Sequence, residues 1–329
     1  MNNKAKSEAG VNPIAKMGNV LLRFSLKYMP DASIFAVLLT VLAFIAGVVF
    51  TDQGPVDMLK NWYKGFWELL AFSMQMALIV VTGSAVANAP SVRRGIKRLA
   101  SVPKTGVQAV WMVTFVSILV SFVHWGLSLI VGALLAKQVA KNLRMKNIPF
   151  EYGLVVAGAY VGQMTWQGTL SSSIGLSIAA EGHILEAEMG IIPMSQYMGN
   201  FVNIFTTIAL IIVPPLFAML MHPKVNAISP LEADAIAALD AEDVEELKRP
   251  LNPTFGERLN YSRVIAWLIG GLGWVYIIYA FVTKGFSALD INLVNFIFLF
   301  TGLILHKNIA NYVRAVSDAV SGVSGIIFQ

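Results

Sequence analysis

The stretch that most constrains this chain is residues 107–136, thirty residues without an Asp, Glu, Lys or Arg. As one helix it would be about 45 Å long, whereas the hydrocarbon core of a membrane is about 30 Å thick. Basic residues bound it on both sides, at Arg93, Arg94, Lys97, Arg98, Lys104, Lys137, Lys141, Arg144 and Lys146. Because short basic loops stay on the cytoplasmic side, both ends are expected on that face. We therefore predict a re-entrant hairpin over residues 107–136.

The turn of the hairpin is predicted in the run of small and polar residues at 121–128. Backbone outside a helix is tolerated at membrane depth only where protein buries it or where it lines a wet cavity. A single long tilted helix and two full crossings are the alternatives for this stretch.

The rest of the chain is typical of an all-α membrane protein. Its 329 residues are 56% hydrophobic and 13% charged, against about 25% charged in soluble domains. Further apolar spans are predicted at residues 32–50, 69–87, 201–221, 264–282 and 291–305. The net charge of +5 comes from short loops, which argues against a nucleic-acid partner, and the lack of cysteine excludes disulfides. The predicted fold is a polytopic helical bundle in the lipid bilayer, with a re-entrant hairpin and an interrupted helix.

Four segments organise the chain. They are a cytoplasmic, basic and interfacial N-terminus (1–30), a first transmembrane repeat (31–222) with an interrupted span at 152–180, a cytoplasmic linker (223–262), and the start of a second repeat (263–329). Residues 147–221 contain no Lys or Arg, so 181–195 is predicted on the outer face. The acidic cluster Asp240–Glu246 lacks the ligand pattern of a calcium loop and is interpreted as a solvated helix face.

The interrupted span offers a chemistry suited to an anion. Helix ends exposed by a hairpin tip and by a broken helix can hold a carboxylate without arginine. The predicted substrate-binding residues come from these two polar runs: His124, Trp125, Gly126, Ser128, Gln163, Trp166, Gln167, Gly168, Thr169, Ser171, Ser172 and Ser173. Trp125 and Trp166 are predicted to form apolar walls against a short hydrocarbon tail. The alternative is that the small polar residues serve only close helix packing.

Transport of a small anion coupled to a cation is the function that this pattern favours. No cofactor is predicted. The spans contain no Asp or Glu, so His124 is the one titratable group near the tip, and Na⁺ held by carbonyls and hydroxyls near 121–128 and 169–173 is predicted ahead of protons. A membrane-embedded hydrolase using Ser128 or Ser171 with His124 is an alternative from another class, although no acidic residue would orient that histidine.

Several motifs together resemble the short-chain fatty acid transporter family, within the broad ion-transporter superfamily. They are Pro30-Asp31, the run GFWELLAFSMQMAL at 65–78, His124-Trp125-Gly126, and Thr165-Trp166 followed by Gly and Ser. The resemblance runs from about Met17 to the last residue. It implies uptake of short-chain monocarboxylates such as acetoacetate or butyrate across a bacterial inner membrane, and dimers are common in the superfamily. A di- or tricarboxylate symporter of the same superfamily is the alternative.

The chain departs from this family in two motifs and in its length. Relatives carry Asn-Trp-Gly and Thr-Trp-Gly-Gly where this chain has His124-Trp125-Gly126 and Thr165-Trp166-Gln167-Gly168, which leaves substrate and coupling ion open. The family continues past Gln329, so we expect a truncated chain with an apolar helix starting at Ala319 and with half of the substrate site missing. Residues 65–75 and 320–329 are predicted to occupy corresponding places. The span from Ala32 is predicted to run outward and that from Ile291 inward, which makes the repeats inverted.

Overall fold

The computed structural model describes residues 13–225, 228, 231, 233–240, 250–324 and 327. Within those residues it contains α-helices and short 3-10 turns and no strand, which confirms the all-α fold. The helices before the linker are α1 (Pro13–Tyr28), α2 (Ala32–Phe50), α3 (Pro55–Glu68), α4 (Leu70–Ala87), α5 (Pro90–Ala100), α6 (Gly106–Val123), α7 (Trp125–Met145), α8 (Tyr152–Val161), α9 (Ser173–Ile178), α10 (Glu186–Met189), α11 (Met194–Met198) and α12 (Phe201–Met221). The later helices are α13 (Ala233–Asp240), α14 (Phe255–Asn260), α15 (Arg263–Lys284), α16 (Ile291–His306) and α17 (Ile309–Val320).

Long apolar helices make this a multi-pass membrane protein. In the described part of the chain, five helices are long and apolar enough to cross a bilayer: Ala32–Phe50, Pro55–Ala87, Gly106–Val123, Phe201–Met221 and Arg263–Ala288. The second of them joins α3 and α4 at Leu69, and α16 is a shorter apolar helix of 16 residues. The spans predicted from hydropathy at 32–50, 69–87, 201–221, 264–282 and 291–305 agree with α2, α4, α12, α15 and α16 to within a few residues.

Polar side chains mark where the helices begin. For six of the long helices, the side chain of the residue ahead of the helix accepts a hydrogen bond from a backbone N–H group of the first turn, which satisfies a group without an intrahelical acceptor. The caps are Asp31 for α2, Thr105 for α6, Asn200 for α12, Ser262 for α15, Asp290 for α16 and Asn308 for α17. Single polar residues at the starts of apolar runs therefore determine where these helices begin.

The predicted reversal of the chain is present and lies at His124, whereas the choice between a re-entrant hairpin and two full crossings stays a prediction. This residue has an extended backbone (φ −161°, ψ 113°) between α6 and α7. The Ser128 hydroxyl donates to the Ser117 carbonyl at 2.7 Å, so the chain reverses direction and the single-helix alternative is wrong. The arms of 18 and 21 residues are about 27 and about 32 Å long.

The predicted end of the hairpin at residue 136 is wrong. Helix α7 continues to Met145 and includes Lys137, Lys141 and Arg144. Lys and Arg are good helix formers, so the first basic residue ends the apolar stretch without ending the helix. The depth that the hairpin reaches in the membrane stays a prediction.

The predicted interruption of the span at 152–180 is confirmed. Helix α8 stops at Val161, and two 3-10 turns, Gly162–Met164 and Trp166–Gly168, precede the six-residue α9. Gly162 lies where the broken span meets the hairpin. A Cβ atom at Gly162 would lie 2.6 Å from the Ser117 carbonyl oxygen and 2.8 Å from the Ser128 hydroxyl. Glycine therefore permits an approach that no larger residue allows.

Two apolar clusters form the interior. The first joins α6, α7 and α8, and the second joins α4, α16, Trp125 and the segment after the broken span. Gln75 donates to Asn292 at 2.9 Å, and His306 Nε2 lies 2.8 Å from the Ala85 carbonyl oxygen. These contacts show that α4 and α16 pack side by side and run in the same direction. Helix α4 thus lies between the hairpin and α16.

Some sequence predictions concern residues outside the described part. These are residues 1–12, most of the acidic cluster after Asp240, and part of 320–329, so the correspondence that makes the repeats inverted stays a prediction. The apolar helix predicted to start at Ala319 lies partly outside the described residues and stays a prediction; within them, Asn308 caps α17, which runs from Ile309 to Val320 and is followed by a 3-10 turn at Ser321–Val323. The cap residue, rather than the apolar run, decides where that helix starts.

Gly83 of α4 lies against the hairpin tip. An added Cβ would be 2.7 Å from the Leu127 nitrogen and 2.8 Å from His124 Cε1. Backbone there cannot yield without moving the tip, so Gly83→Ala is expected to destabilise the protein by about 1–3 kcal/mol. The measurement is the midpoint of thermal unfolding in detergent.

The matched control is Gly65→Ala on α3, where an added Cβ meets nothing within 4 Å. Alanine is the better helix former, so this variant should keep or raise the midpoint. Equal midpoints of thermal unfolding for the two variants would contradict the close packing of the hairpin tip against α4.

Candidate functional site

His124 organises the hairpin tip. Its Nδ1 accepts a hydrogen bond from the Leu127 N–H at 3.0 Å, so the imidazole caps the N-terminus of α7 as an asparagine would. In the neutral ring the proton then resides on Nε2, which becomes a donor. The side chain is fully buried, and its ring lies 3.8 Å, centre to centre, from Phe298 of α16.

Four buried polar atoms near the tip lack a hydrogen-bond partner among the described residues. They are Ser117 Oγ, Ser121 Oγ, His124 Nε2 and Trp125 Nε1. Each of these atoms can donate a hydrogen bond. None of the four side chains carries a full positive charge when the His124 ring is neutral. A buried donor without an acceptor is costly, so such a cluster is unusual in a well-packed interior.

The broken span packs directly on this tip. Ser171 Oγ donates to the Ser121 carbonyl at 2.6 Å, and Gln163 Nε2 donates to the Trp125 carbonyl at 3.3 Å. The ring centres of Trp125 and Trp166 are 5.0 Å apart. The two polar runs that the sequence singles out are therefore in contact, and the two indoles touch each other. Their role in binding stays a prediction.

A second group of the predicted residues faces away from the tip toward α11 and α12. Tyr197 OH donates to the Gln167 carbonyl at 2.6 Å, and Asn203 Nδ2 donates to the Gly168 carbonyl at 2.8 Å. The Ser172 hydroxyl accepts from the Gly175 N–H at 2.9 Å, which caps α9, and Ser173 receives the Gln167 amide at 3.4 Å. These contacts hold the bend in place, as the packing alternative predicts.

The remaining predicted residues also make internal contacts. Ser128 donates to the Ser117 carbonyl, and Thr169 Oγ1 donates to the Trp166 carbonyl at 3.2 Å. A Cβ atom at Gly126 would lie 2.9 Å from the Ile79 carbonyl oxygen, so this glycine lets α7 approach α4 closely. The described contacts thus divide the predicted site into a donor-rich tip and a surrounding scaffold.

Three contributors to this region were missed in the sequence. Tyr197 and Asn203 precede or begin an apolar span, where an aromatic or amide side chain usually indicates a membrane interface or a cap. Phe298 lies in the middle of an apolar run. None of these positions carries a sequence signal that distinguishes it from ordinary packing, because the pairing depends on which helices meet.

The hydrolase alternative finds no support in these contacts. A triad needs an Nδ1–H that donates to a carboxylate, whereas His124 Nδ1 accepts from a backbone N–H. The hydroxyls of Ser128 and Ser171 donate to backbone carbonyls rather than to His124. In the described residues no group of three His, Cys, Asp or Glu side chains could hold a metal ion.

The bond from Ser171 to Ser121 can be tested by mutation. The Ser121 carbonyl is in the last turn of α6, where carbonyls lack an intrahelical donor, so Ser171→Ala would leave it buried and unpaired. We expect a loss of about 1–2 kcal/mol in the free energy of unfolding and a lower thermal midpoint.

Ser177→Ala is the control for this variant. Its hydroxyl donates to the Ser173 carbonyl at 2.6 Å within α9, a local bond that adds little to stability. The same thermal midpoint for Ser171→Ala and Ser177→Ala would show that the bridge to the hairpin contributes nothing specific.

Comparisons with known proteins agree with this architecture. The family model described as short chain fatty acid transporter matches residues 13–329. A protein of Escherichia coli (strain K12), provisionally named a short-chain fatty acid transporter, is 38% identical over 316 residues, which cover 96% of this chain and 70% of that protein. A protein of Haemophilus influenzae with the same provisional name is 39% identical over 323 residues, with the same two coverages. No solved structure matches the chain.

Proposed function

We propose that this chain, which belongs to the short-chain fatty acid transporter family, carries short-chain monocarboxylates across a bacterial inner membrane. The expected substrates are of the acetoacetate or butyrate type. One observation supports the substrate chemistry. Ser117, Ser121, His124 and Trp125 each present a buried polar atom without a partner among the described residues, and each can donate. A carboxylate has two oxygens that accept several hydrogen bonds and complements such a set.

The helix dipole favours the same ligand. Helix α7 has 21 residues, and its N-terminal end lies at Trp125, beside the unpartnered imidazole and indole nitrogens. The first N–H groups of a helix carry partial positive charge and stabilise an anion nearby. This arrangement supplies attraction to a carboxylate without a fixed cation.

The absence of basic side chains from the apolar part of the hairpin favours one carboxylate over two. Residues 107–136 contain no Lys or Arg, so neutral donors would have to stabilise both charges of a dicarboxylate at one tip. Trp125 and Trp166 add apolar surface next to the donors, which suits a tail of a few carbons. The site composition thus supports a short monocarboxylate.

Coupling to a cation and the orientation in the membrane are part of the proposal. The apolar spans contain no carboxylate that could relay protons, which supports sodium. The basic residues on both sides of the hairpin support a cytoplasmic N-terminus. Assembly into dimers stays a prediction from the superfamily resemblance.

Trp125→Phe tests the donor at the tip. The variant keeps an aromatic ring but loses the Nε1–H, and a hydrogen bond to a charged ligand contributes about 1.5–3 kcal/mol. We expect affinity for butyrate to fall about tenfold or more, measured by binding of radiolabelled butyrate to the purified protein. Trp111→Phe is the control, because Trp111 stacks on Phe115 and is 37% exposed.

Competition and uptake extend the same experiment. Acetate, butyrate and acetoacetate are expected to displace the label better than succinate, and uptake by cells is expected to fall when choline replaces sodium at fixed pH. Unchanged butyrate affinity in Trp125→Phe, with intact thermal stability, would remove the tip from the binding site. Equal competition by succinate would favour the dicarboxylate alternative.

Single cysteines test the orientation, since the chain has none of its own. Asn147 has a left-handed backbone (φ 53°), which a cysteine would strain, so Lys146→Cys is the better position after the hairpin. Glu188→Cys reports on the segment predicted outside. With an impermeant thiol reagent on intact cells, labelling of position 188 alone is expected; equal labelling of both would contradict the proposed topology.

A further inference from the structure

A cleft lies between the last turns of α15 and the first turns of α16. Its volume is about 620 Å³, within the range of about 300–1,000 Å³ that is usual for ligand sites. Its lining includes Tyr276, Tyr279, Lys284, Asp290, Asn292 and Phe296, and it contains no residue of the hairpin or of the broken span. The cleft is therefore separate from the candidate carboxylate site.

The lining of this cleft changes from charged to aromatic along the two helices. Lys284 ends α15 and Asp290 caps α16, so both charged residues lie at the connecting loop. Tyr276 lies about two turns earlier on α15, about 12 Å along its axis, and its ring centre is 5.5 Å from that of Phe296. The ends of membrane helices lie at the headgroup level and their middles in the hydrocarbon. The cleft thus has the polarity profile of a phospholipid.

The polar groups at the loop end are free to bind a ligand. Neither Lys284 nor Asp290 forms an ion pair within the part of the chain that the structure describes. Asp290 Oδ1 accepts the Leu293 N–H at 2.7 Å, which leaves Oδ2 for another donor. Asn292 Oδ1 accepts from Gln75 at 2.9 Å, which leaves the Asn292 Nδ2 group to donate. An ammonium and an amide are therefore offered to an anion, and a carboxylate oxygen to a cation.

This set of groups suits a zwitterion better than the proposed transport substrate or a metal ion. A short monocarboxylate would fill little of the cleft and would be repelled by Asp290. Calcium and magnesium take several oxygen ligands, whereas the cleft has one carboxylate beside a lysine. A headgroup with a phosphate and an ammonium group finds a partner of opposite charge for each.

We propose that this cleft binds a phospholipid whose headgroup carries a phosphate and a primary ammonium group. The phosphate pairs with Lys284 and Asn292 Nδ2, the ammonium donates to Asp290 Oδ2, and an acyl chain runs along Tyr276 and Tyr279. These tyrosines are 55% and 61% exposed, so they present surface to lipid. Lysine and tyrosine at a helix end are ordinary features of a membrane interface. The carboxylate that shares the cleft with them makes the site selective.

A lipid in this cleft joins three helices. Lys284 belongs to α15 and Asp290 to α16, and Asn292 connects the cleft to Gln75 of α4. Helix α16 also carries Phe298, whose ring packs against His124 at the hairpin tip. The bound lipid therefore stabilises the helices against which the tip rests. Its binding does not depend on the proposed transport function.

Thermal unfolding of the purified full chain in detergent tests the site, with phosphatidylethanolamine compared with phosphatidylglycerol of the same acyl chains. A ligand that binds only the folded state raises the midpoint in a saturable way. Phosphatidylglycerol has the phosphate but no ammonium group, so we expect phosphatidylethanolamine to raise the wild-type midpoint by about 2 °C or more beyond it. Free phosphoethanolamine, which lacks the acyl chains, is expected to give no rise at the same concentration.

Two variants separate the two charges of the site. Asp290→Asn keeps a good cap for α16 but loses the carboxylate, so its rise with phosphatidylethanolamine should fall to the level of phosphatidylglycerol. Lys284→Gln should lose most of the rise with both lipids. Lys60→Gln is the matched control and should keep the wild-type response, because Lys60 is exposed, pairs with Asp57 at 3.1 Å and lies outside the cleft.

Native mass spectrometry gives a second readout that does not depend on stability. After exchange into lipid-free detergent, wild type and Lys60→Gln are expected to retain about one more phosphatidylethanolamine molecule than Lys284→Gln. Equal rises with the two lipids in wild type, an undiminished phosphatidylethanolamine effect in Asp290→Asn, or equal lipid retention by wild type and Lys284→Gln would each overturn the site. A full rise with free phosphoethanolamine would show that the cleft binds the headgroup alone and would overturn the phospholipid assignment.

Discussion

The reversal of the chain at His124 is the constraint on which the rest of this structure depends. A helix that stops inside an apolar environment leaves N–H and C=O groups that lipid cannot satisfy. Here the protein supplies partners: His124 Nδ1 for the Leu127 N–H, and Ser171 for the Ser121 carbonyl. The broken span therefore completes the hydrogen bonding of the hairpin.

Close approach of the helix backbones is the second requirement for this reversal. Gly83 and Gly162 bring helix backbones to distances that any side chain would prevent, and the polar groups of the tip then reach their partners. What remains unpaired near the tip, among the described side chains, is a set of four atoms that can donate a hydrogen bond. This set is the basis for the proposal that the tip binds an anion.

The sequence predicts the framework better than the site. Charges on both sides of an apolar stretch too long for one crossing locate the hairpin, and glycines among polar residues locate the interruption. The length of α7 was underestimated because a basic residue ends an apolar run but not a helix. The division of the polar residues into tip and scaffold could not be predicted, since Ser172 differs from Ser171 only in which neighbour it faces. The contacts of Tyr197 and Asn203 can be interpreted only once the pairs of packed helices are known.

Helix α2 differs from the hairpin in how its side chains are packed. None of its 19 side chains is buried in the described structure, and the helix is long and apolar enough to cross a membrane. Exchange among Leu, Ile, Val and Phe along α2 changes little, because lipid tails adapt to any apolar shape. We therefore expect the sequence of α2 to change faster during evolution than the sequences of α6 and α7. Helix α2 needs only an apolar composition, whereas α6 and α7 need particular residues at particular positions.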